Sequence, residues 1–225
     1  MNDKQLVALH AATYVKSGML VGLGTGSTAD YFIEELARLQ CDEGLKITTV
    51  ASSTVSAQKA QSLGLSIVAL EHISNIDLYV DGADEVTPEM TLLKGRGSDL
   101  VKEKLLAKAA TQFIVVADES KLVNHIGQNF VIPIEVIPFA WQLTKKSLEN
   151  SGAQGDLRPN AAKDGFWVTS HGSYVLDMKF DASISAQNLN DLINNTPGVV
   201  EHGIFYSLTD IVLIAANGVI SERMA

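Results

Sequence analysis

Between Met19 and Ala117 short apolar runs alternate with amphipathic ones, and this alternation limits what the chain can fold into more than any other feature. The runs Met19 to Leu23, Lys46 to Ala51, Ser66 to Leu70, Ile76 to Asp81 and Phe113 to Ala117 have the length and apolar content of strands. Between them, Ala29 to Leu39, Val55 to Ser62 and Leu100 to Ala110 carry helical spacing. Ahead of them, Leu6, Leu9 and Tyr14 mark an N-terminal helix that ends near Ser17-Gly18. Strands separated by helices build a parallel sheet covered on both faces.

Near Gly127 the pattern changes. Phe130 to Ile137 reads as a strand bounded by Pro133 and Pro138, and Ala140 to Asn150 as a helix. Phe166 to Ser170 and Tyr174 to Phe180 then read as a hairpin across His171-Gly172-Ser173, followed by a helix at Ala186 to Asn195 and a strand at Val199 to Phe205. The order βαββαβ is that of a ferredoxin-like module. Asp210 to Ala215 is apolar enough to return to the first sheet. The expected fold is therefore α/β: a doubly wound, mostly parallel (Rossmann-like) sheet formed by residues 1–126 with 206–225, and a small inserted ferredoxin-like α+β domain at 127–205.

Charge and cysteine usage narrow the function. A net charge of -9, with 17 basic residues spread along the chain, argues against a nucleic-acid surface. It also means that any phosphate site must supply its own local donors. The single cysteine, Cys41, excludes an internal disulfide and suits a reducing compartment. Met1 to Leu20 lacks the basic and apolar regions of a signal peptide, and the longest apolar run, Ile211 to Ala216, is far short of the ~20 residues a membrane helix requires. These features point to a cytoplasmic protein. The five histidines lie far apart, with no spacing that suggests a metal site.

Three stretches carry candidate chemistry. Gly22-Leu23-Gly24-Thr25-Gly26-Ser27-Thr28 lies between a strand and a helix, where free N–H groups of the first helical turn face an anion. The hydroxyls of Thr25, Ser27 and Thr28 add donors. Gly24, Gly26 and Ala29 also satisfy a dinucleotide-binding pattern, but the next strand ends in Ser52-Ser53-Thr54 where a ribose-binding acid belongs. A phosphate-ester loop, a plain structural turn and a dinucleotide site are the three readings of this stretch.

The second stretch, Asp81-Gly82-Ala83-Asp84-Glu85, follows the strand at Ile76, and in open α/β sheets ligands bind at the carboxyl ends of strands. The third is Lys94-Gly95-Arg96-Gly97-Ser98-Asp99, which leads into a helix. There Glu103 falls within about 60° of Leu100, Leu106, Ala107 and Ala110, while Lys104 and Lys108 share another face. Such a glutamate either suits the helix macrodipole at an apolar edge or, partly desolvated, serves as a general base. Lys121, in Asp118-Glu119-Ser120-Lys121, follows the last strand of the first set.

With Gly22 to Thr28, Asp81 to Glu85, Lys94 to Gly97 running into Glu103, and Ala117 to Lys121 laid out, the chain resembles the A-type ribose-5-phosphate isomerases. The pairing of Asp81-Gly82-Ala83-Asp84-Glu85 with Lys94-Gly95 is the specific part; the glycine-rich turn alone is shared with sugar-phosphate deaminases, sensors and acyl-CoA transferases. The resemblance implies interconversion of ribose 5-phosphate and ribulose 5-phosphate in the pentose phosphate pathway, without metal or organic cofactor, by a homodimer. It implies Glu103 as proton acceptor, catalytic assistance from Asp81, Asp84 and Lys94, and substrate binding by Thr25, Gly26, Ser27, Thr28, Gly82, Ala83, Gly95, Arg96, Gly97 and Lys121. Lys4 resembles an N-terminal lysine near the phosphate.

Arg96 departs from the family, which usually has glycine there. If that backbone needs positive φ, arginine costs ~1–2 kcal/mol; either the conformation is ordinary or the guanidinium contributes enough to the site to offset that cost. Two rivals share the pattern. A noncatalytic sugar-phosphate sensor has no obvious use for Glu103 in an apolar arc, and an amino-sugar-phosphate deaminase calls for a site histidine that neither His72 nor His125 supplies.

Overall fold

The computed structural model describes residues 2–97 and 99–225. In chain order its elements are α1 (Asp3–Ala12), β1 (Leu20–Leu23), α2 (Ser27–Glu43), β2 (Thr48–Ala51), α3 (Thr54–Ser62), β3 (Ile76–Asp81), β4 (Glu85–Val86), β5 (Leu92–Leu93), α4 (Leu100–Ala109) and β6 (Ala110–Asp118). There follow β7 (Ile132–Val136), α5 (Trp141–Asn150), β8 (Gln154–Leu157), β9 (Tyr174–Lys179), α6 (Ala186–Asn194), β10 (Val199–His202), β11 (Ile204–Phe205), β12 (Ile211–Ala216) and β13 (Val219–Met224). These divide into one unit of Met1–Ala83, Lys102–Leu122 and Leu208–Ala225, and a second of Asp84–Val101 and Val123–Ser207.

The first unit is a six-stranded sheet in the order β13-β12-β6-β3-β1-β2. All pairs are parallel except β12 with β13. Leaving out β13, this is the 2-1-3-4-5 order of doubly wound folds, whose switch point lies between the first and third strands. Here those are β1 and β3. Both faces of β3 are buried apart from half-buried Asp77, as a sheet covered by helices on both sides requires. The residues that break its apolar alternation all serve β1. Asp77 accepts from the Leu20 N–H at 2.7 Å, Tyr79 lies opposite Gly22, and Asp81 accepts from Thr25 just past the end of β1.

In the second unit, β7, β8, β9 and β10 form an antiparallel sheet in the order β10-β7-β9-β8. With α5 and α6 this is the βαββαβ arrangement expected of a ferredoxin-like module. Leu148 of α5 and Leu189 and Ile193 of α6 join Ile132, Ile134, Val136, Leu176 and Met178 in one core. A smaller sheet, β11-β5-β4, lies beside it in the chain's second unit.

The structure differs from the sequence reading at several points. Ser66 to Leu70 forms no strand; Ile67 makes a single parallel bridge to Thr49 before a 3-10 turn at Leu70–His72. The hairpin partner of β9 is β8 rather than Phe166 to Ser170, which makes only isolated bridges at Phe166 and Val168. The apolar alternation there is misleading because both side chains are exposed, whereas β8 is a polar edge strand with only Leu157 buried. The short strands β4 and β5 and the C-terminal β13 lack long apolar runs. Finally, residues 84–101, which the sequence reading puts with the first domain, group with the second. There β5 pairs with both β4 and β11, and buried Glu85 accepts from the N–H groups of Gly127, Asn129 and Phe130.

Leu213 is fully buried in β12, between β6 and β13. Leu213→Ala is expected to destabilise by about 2–5 kcal/mol, whereas Val219→Thr on the outer strand changes stability by less than about 0.5 kcal/mol. The two unfolding midpoints in urea check this.

Candidate active site

Within the first unit, the chemistry gathers at the switch point. The Asp81 side chain is fully buried at the end of β3. Its Oδ1 accepts from the Thr25 N–H at 3.0 Å and the Gly82 N–H at 2.7 Å, and its Oδ2 from the Tyr79 hydroxyl at 2.5 Å. A buried carboxylate requires such donors. The approach is close: a Cβ at Gly24 would stand 2.2 Å from Asp81 Oδ1 and 2.6 Å from its Cα. The glycine-rich turn is therefore fitted to the acid that follows β3.

Tyr79 is the hub that sequence reasoning missed. Its ring stacks on Phe113 with centroids 4.9 Å apart. Burial, then the charges of Asp81 and Glu103, push its phenol well above the ordinary range, against an opposing hydrogen bond from Ser52. The only sequence signal was that Tyr79 and Asp81 stand two apart on one strand, as Gly22 at β1 and Gly24 just past its end do opposite them.

The turn itself divides. The Thr25 hydroxyl is not turned out as a ligand donor; it bonds the hydroxyls of Ser52, Ser53 and Ser56 at 2.9, 2.8 and 3.2 Å. Ser56 in turn donates to the Gly24 carbonyl at 2.6 Å. These serines replace the missing ribose-binding acid with an internal tie. Gly26, at φ 108°, begins α2 without any side-chain cap, leaving the first-turn N–H groups of Ser27 and Thr28 for another acceptor. Lys4 Nζ lies 3.0 Å from Ser27 Oγ, which brings a positive charge to this end of α2. Gly82 and Ala83 continue from Asp81, and Lys121 stands in the 3-10 turn after β6, at the same edge of the parallel sheet.

Glu103, in the first turn of α4, is buried at 6% exposure. The helical arc is wider than the wheel suggests, because Lys104 is buried too, at 2%, and the exposed side is formed by Leu105 and Lys108.

Within the second unit, the Asp84 N–H bonds the Leu93 carbonyl at 2.8 Å, and its side chain stays 23% exposed. Among the acids of Asp81 to Glu85, it alone keeps partial access, since Asp81 and Glu85 are fully buried. Lys94 follows β5; its N–H donates to the Gly203 carbonyl at 2.9 Å and its buried ammonium lies 5.7 Å from the Phe205 ring centroid. Gly95 has φ +88°, and a Cβ there would meet Leu100 Cδ1 at 2.7 Å, so glycine is required. Arg96 does not share this conformation: it is absent from the described non-glycine residues of positive φ. Its guanidinium lies 3.9 Å from the Phe130 ring centroid and 3.9 Å from Asp84 Oδ1. Gly97 completes the described part of the turn, and Ser98 lies outside the described residues.

A doubly wound sheet with an uncapped helix start, a lysine beside it and a hydrogen-bonded aspartate at its switch point is that of an α/β protein with its functional residues at the carboxyl ends of the strands. The family model for ribose 5-phosphate isomerase A (phosphoriboisomerase A) matches residues 48–218. Ribose-5-phosphate isomerase A of Thermococcus kodakarensis is 43% identical over 212 residues, 94% of this chain and 93% of that protein. The ribose 5-phosphate isomerase A structure of Methanocaldococcus jannaschii superposes with a TM-score of 0.92 at 36% identity, covering 99% of this chain and 98% of that one. A D-ribose-5-phosphate isomerase solved with phospho-erythronic acid gives 0.95 at 36% identity with full coverage of both. The chain belongs to the ribose-5-phosphate isomerase A family, whose members interconvert ribose 5-phosphate and ribulose 5-phosphate.

Tyr79→Phe keeps the stack on Phe113 but removes one of the donors to Asp81, and is expected to destabilise by about 1–3 kcal/mol. Gly24→Ala, which forces backbone and carboxylate apart, is expected to cost about as much through overpacking. Chemical denaturation of each variant measures both.

Proposed function

We propose that this chain interconverts D-ribose 5-phosphate and D-ribulose 5-phosphate through an enediol(ate), with Glu103 as the proton acceptor. Family membership over nearly the whole chain is the observation that carries the reaction. The burial of Glu103 in α4 supports its role, since removing a carboxylate from water favours its taking up a proton. The carbon-bound proton leaves C2 of the open-chain aldose and returns to C1 while the O2 hydroxyl proton passes to O1, so one carboxylate serves both carbon steps and ends unchanged.

Negative charge develops on the carbonyl oxygen as that proton leaves. Lys94, buried and carried on a backbone bonded to Gly203, is the proposed donor to it; losing such a donor typically costs ~3 kcal/mol, about a hundredfold in rate. Asp84 holds substrate hydroxyls and assists ring opening. The phosphate is assigned to the N–H groups and hydroxyls of Ser27 and Thr28 with Lys4, and Lys121 and the amides of Gly95 to Gly97 complete the binding set. Asp81 acts by fixing the glycine-rich turn. Acidic net charge makes local donors of this kind necessary for an anionic substrate.

The assembly and location proposed are a homodimer in the cytoplasm. Family resemblance supports the first, and the lone cysteine, in a chain where the described helices include none able to cross a membrane, supports the second. Light scattering tests the dimer, with a mass twice the chain's 24.1 kDa expected.

The decisive experiment is isomerisation of ribose 5-phosphate with chelator present, beside Glu103→Gln. The expected outcome is metal-free turnover by the wild type, and a variant that binds substrate with kcat down by about 10²–10⁴. Binding without turnover by the wild type would favour the sensor; equal activity in both would remove Glu103 from its role.

A further inference from the structure

The turn after β5 carries Lys94 and the proposed binding amides, yet residues 94–97 lie outside helix and strand. What fastens it comes from a distant part of the same unit. Arg158 Nη1 donates to the carbonyls of both Arg96 and Gly97, at 3.1 Å each. The rest of the guanidinium is held by Asp177 on β9, with Nε at 2.9 Å from Oδ2 and Nη2 at 2.7 Å from Oδ1. The pair is largely withdrawn from water, with the side chains 15% and 25% exposed.

The base of Arg158 is equally fixed. Its N–H donates to the Val175 carbonyl and its own carbonyl accepts from the Trp167 N–H, both at 2.8 Å. Two further contacts continue the fastening along the chain toward α4. Ser170 Oγ lies 3.5 Å from Asp99 Oδ1. Glu135 is buried on β7 and bonded to His171 Nε2 at 2.7 Å; burial pushes its carboxyl above the ordinary range, against the opposing effects of His171 and of the Val101 N–H.

We propose that Arg158, aimed by Asp177, is a positioning residue for the isomerisation: by holding the Arg96 and Gly97 carbonyls it orients the Lys94 to Gly97 turn toward the substrate. This rests on the isomerase reading above. In a planar trans peptide the carbonyl of Arg96 and the N–H of Gly97 point in opposite directions. Holding the carbonyl from one side therefore presents the amide on the other. A guanidinium suits the task because its rigid fork engages a carboxylate with two nitrogens and still offers donors from the third. Lysine has the charge without the fork. The contact to two successive turn carbonyls is not needed to hold β8 to β9, which are already paired from Gln154 to Leu157.

The test compares wild type, Arg158→Lys and Asp177→Asn in three measurements: kcat and KM for ribose 5-phosphate, the unfolding midpoint, and amide hydrogen exchange in the peptide spanning residues 94–97. Misplacing reacting groups by about an ångström costs up to about a hundredfold. The expected result is a loss of kcat/KM of about tenfold to a hundredfold in Arg158→Lys. KM rises, exchange in the turn quickens and the unfolding midpoint stays near wild type. Asp177→Asn shows the same signature more weakly. The proposal is overturned if both variants keep kcat/KM within about twofold and leave exchange unchanged. It is equally overturned if activity falls only with the unfolding midpoint while exchange in the turn keeps pace with the rest of the unit. A wild type that does not isomerise ribose 5-phosphate overturns the isomerase reading instead, and exchange in the turn then still decides whether Arg158 holds it.

Discussion

The first unit depends on the burial of one carboxylate. Asp81 sits at the end of a central strand with no exposed surface, and a carboxylate there survives only if donors replace the water it has lost. The donors come from three places: the turn after β1, the residue after Asp81 itself, and the phenol two residues before it. Bringing the turn to within reach demands glycine at 24, where any side chain would strike the acid. The start of α2 is fixed as a consequence. The uncapped helix start at Gly26 and the acid at the end of β3 are thus two aspects of one constraint at the switch point.

The acids of the second stretch divide by the same logic. Glu85, buried like Asp81, spends its carboxylate on three N–H groups of residues 127–130 and so carries the chain from β4 to the segment that presents Phe130. Phe130 receives the guanidinium of Arg96. Asp84, placed between two saturated acids, keeps access to water. Of the three carboxylates within these five residues, two are therefore buried among hydrogen-bond donors and one keeps partial exposure.

Much of this architecture was legible in the sequence because parallel strands buried on both faces must read as apolar runs, and helices between them as amphipathic ones. The ferredoxin-like order was also legible, although one of its strands was placed wrongly. β8 is an exposed edge whose residues, Gln154 to Leu157, show no apolar alternation, whereas Phe166 and Val168 show it on an exposed segment that forms no strand. The site candidates were visible as residue types at strand ends. Their partners were not: the serines that engage Thr25, the phenol beneath Asp81 and the Arg158 fork lie 19 to 62 residues from what they hold or are held by, apart from Tyr79. Pairings at such separations are set by tertiary packing, for which a single sequence has no periodic signal.

The saturation of Asp81 bears on how the proposed reaction divides its carboxylates. An ionised carboxylate is acceptor-only, and three donors pointing at it match that state. A group that must accept a proton in one half-reaction and release it in the next cannot be braced in this way. Glu103 differs in lying in an apolar arc, in the first turn of a helix, with its charge felt by the same phenol that braces Asp81. A carboxylate surrounded by donors and another set among apolar neighbours are the kind of separate environments by which paired acids acquire different tasks. This difference in surroundings supports the proposed assignment of Glu103 as the base, with Asp81 fixing the glycine-rich turn.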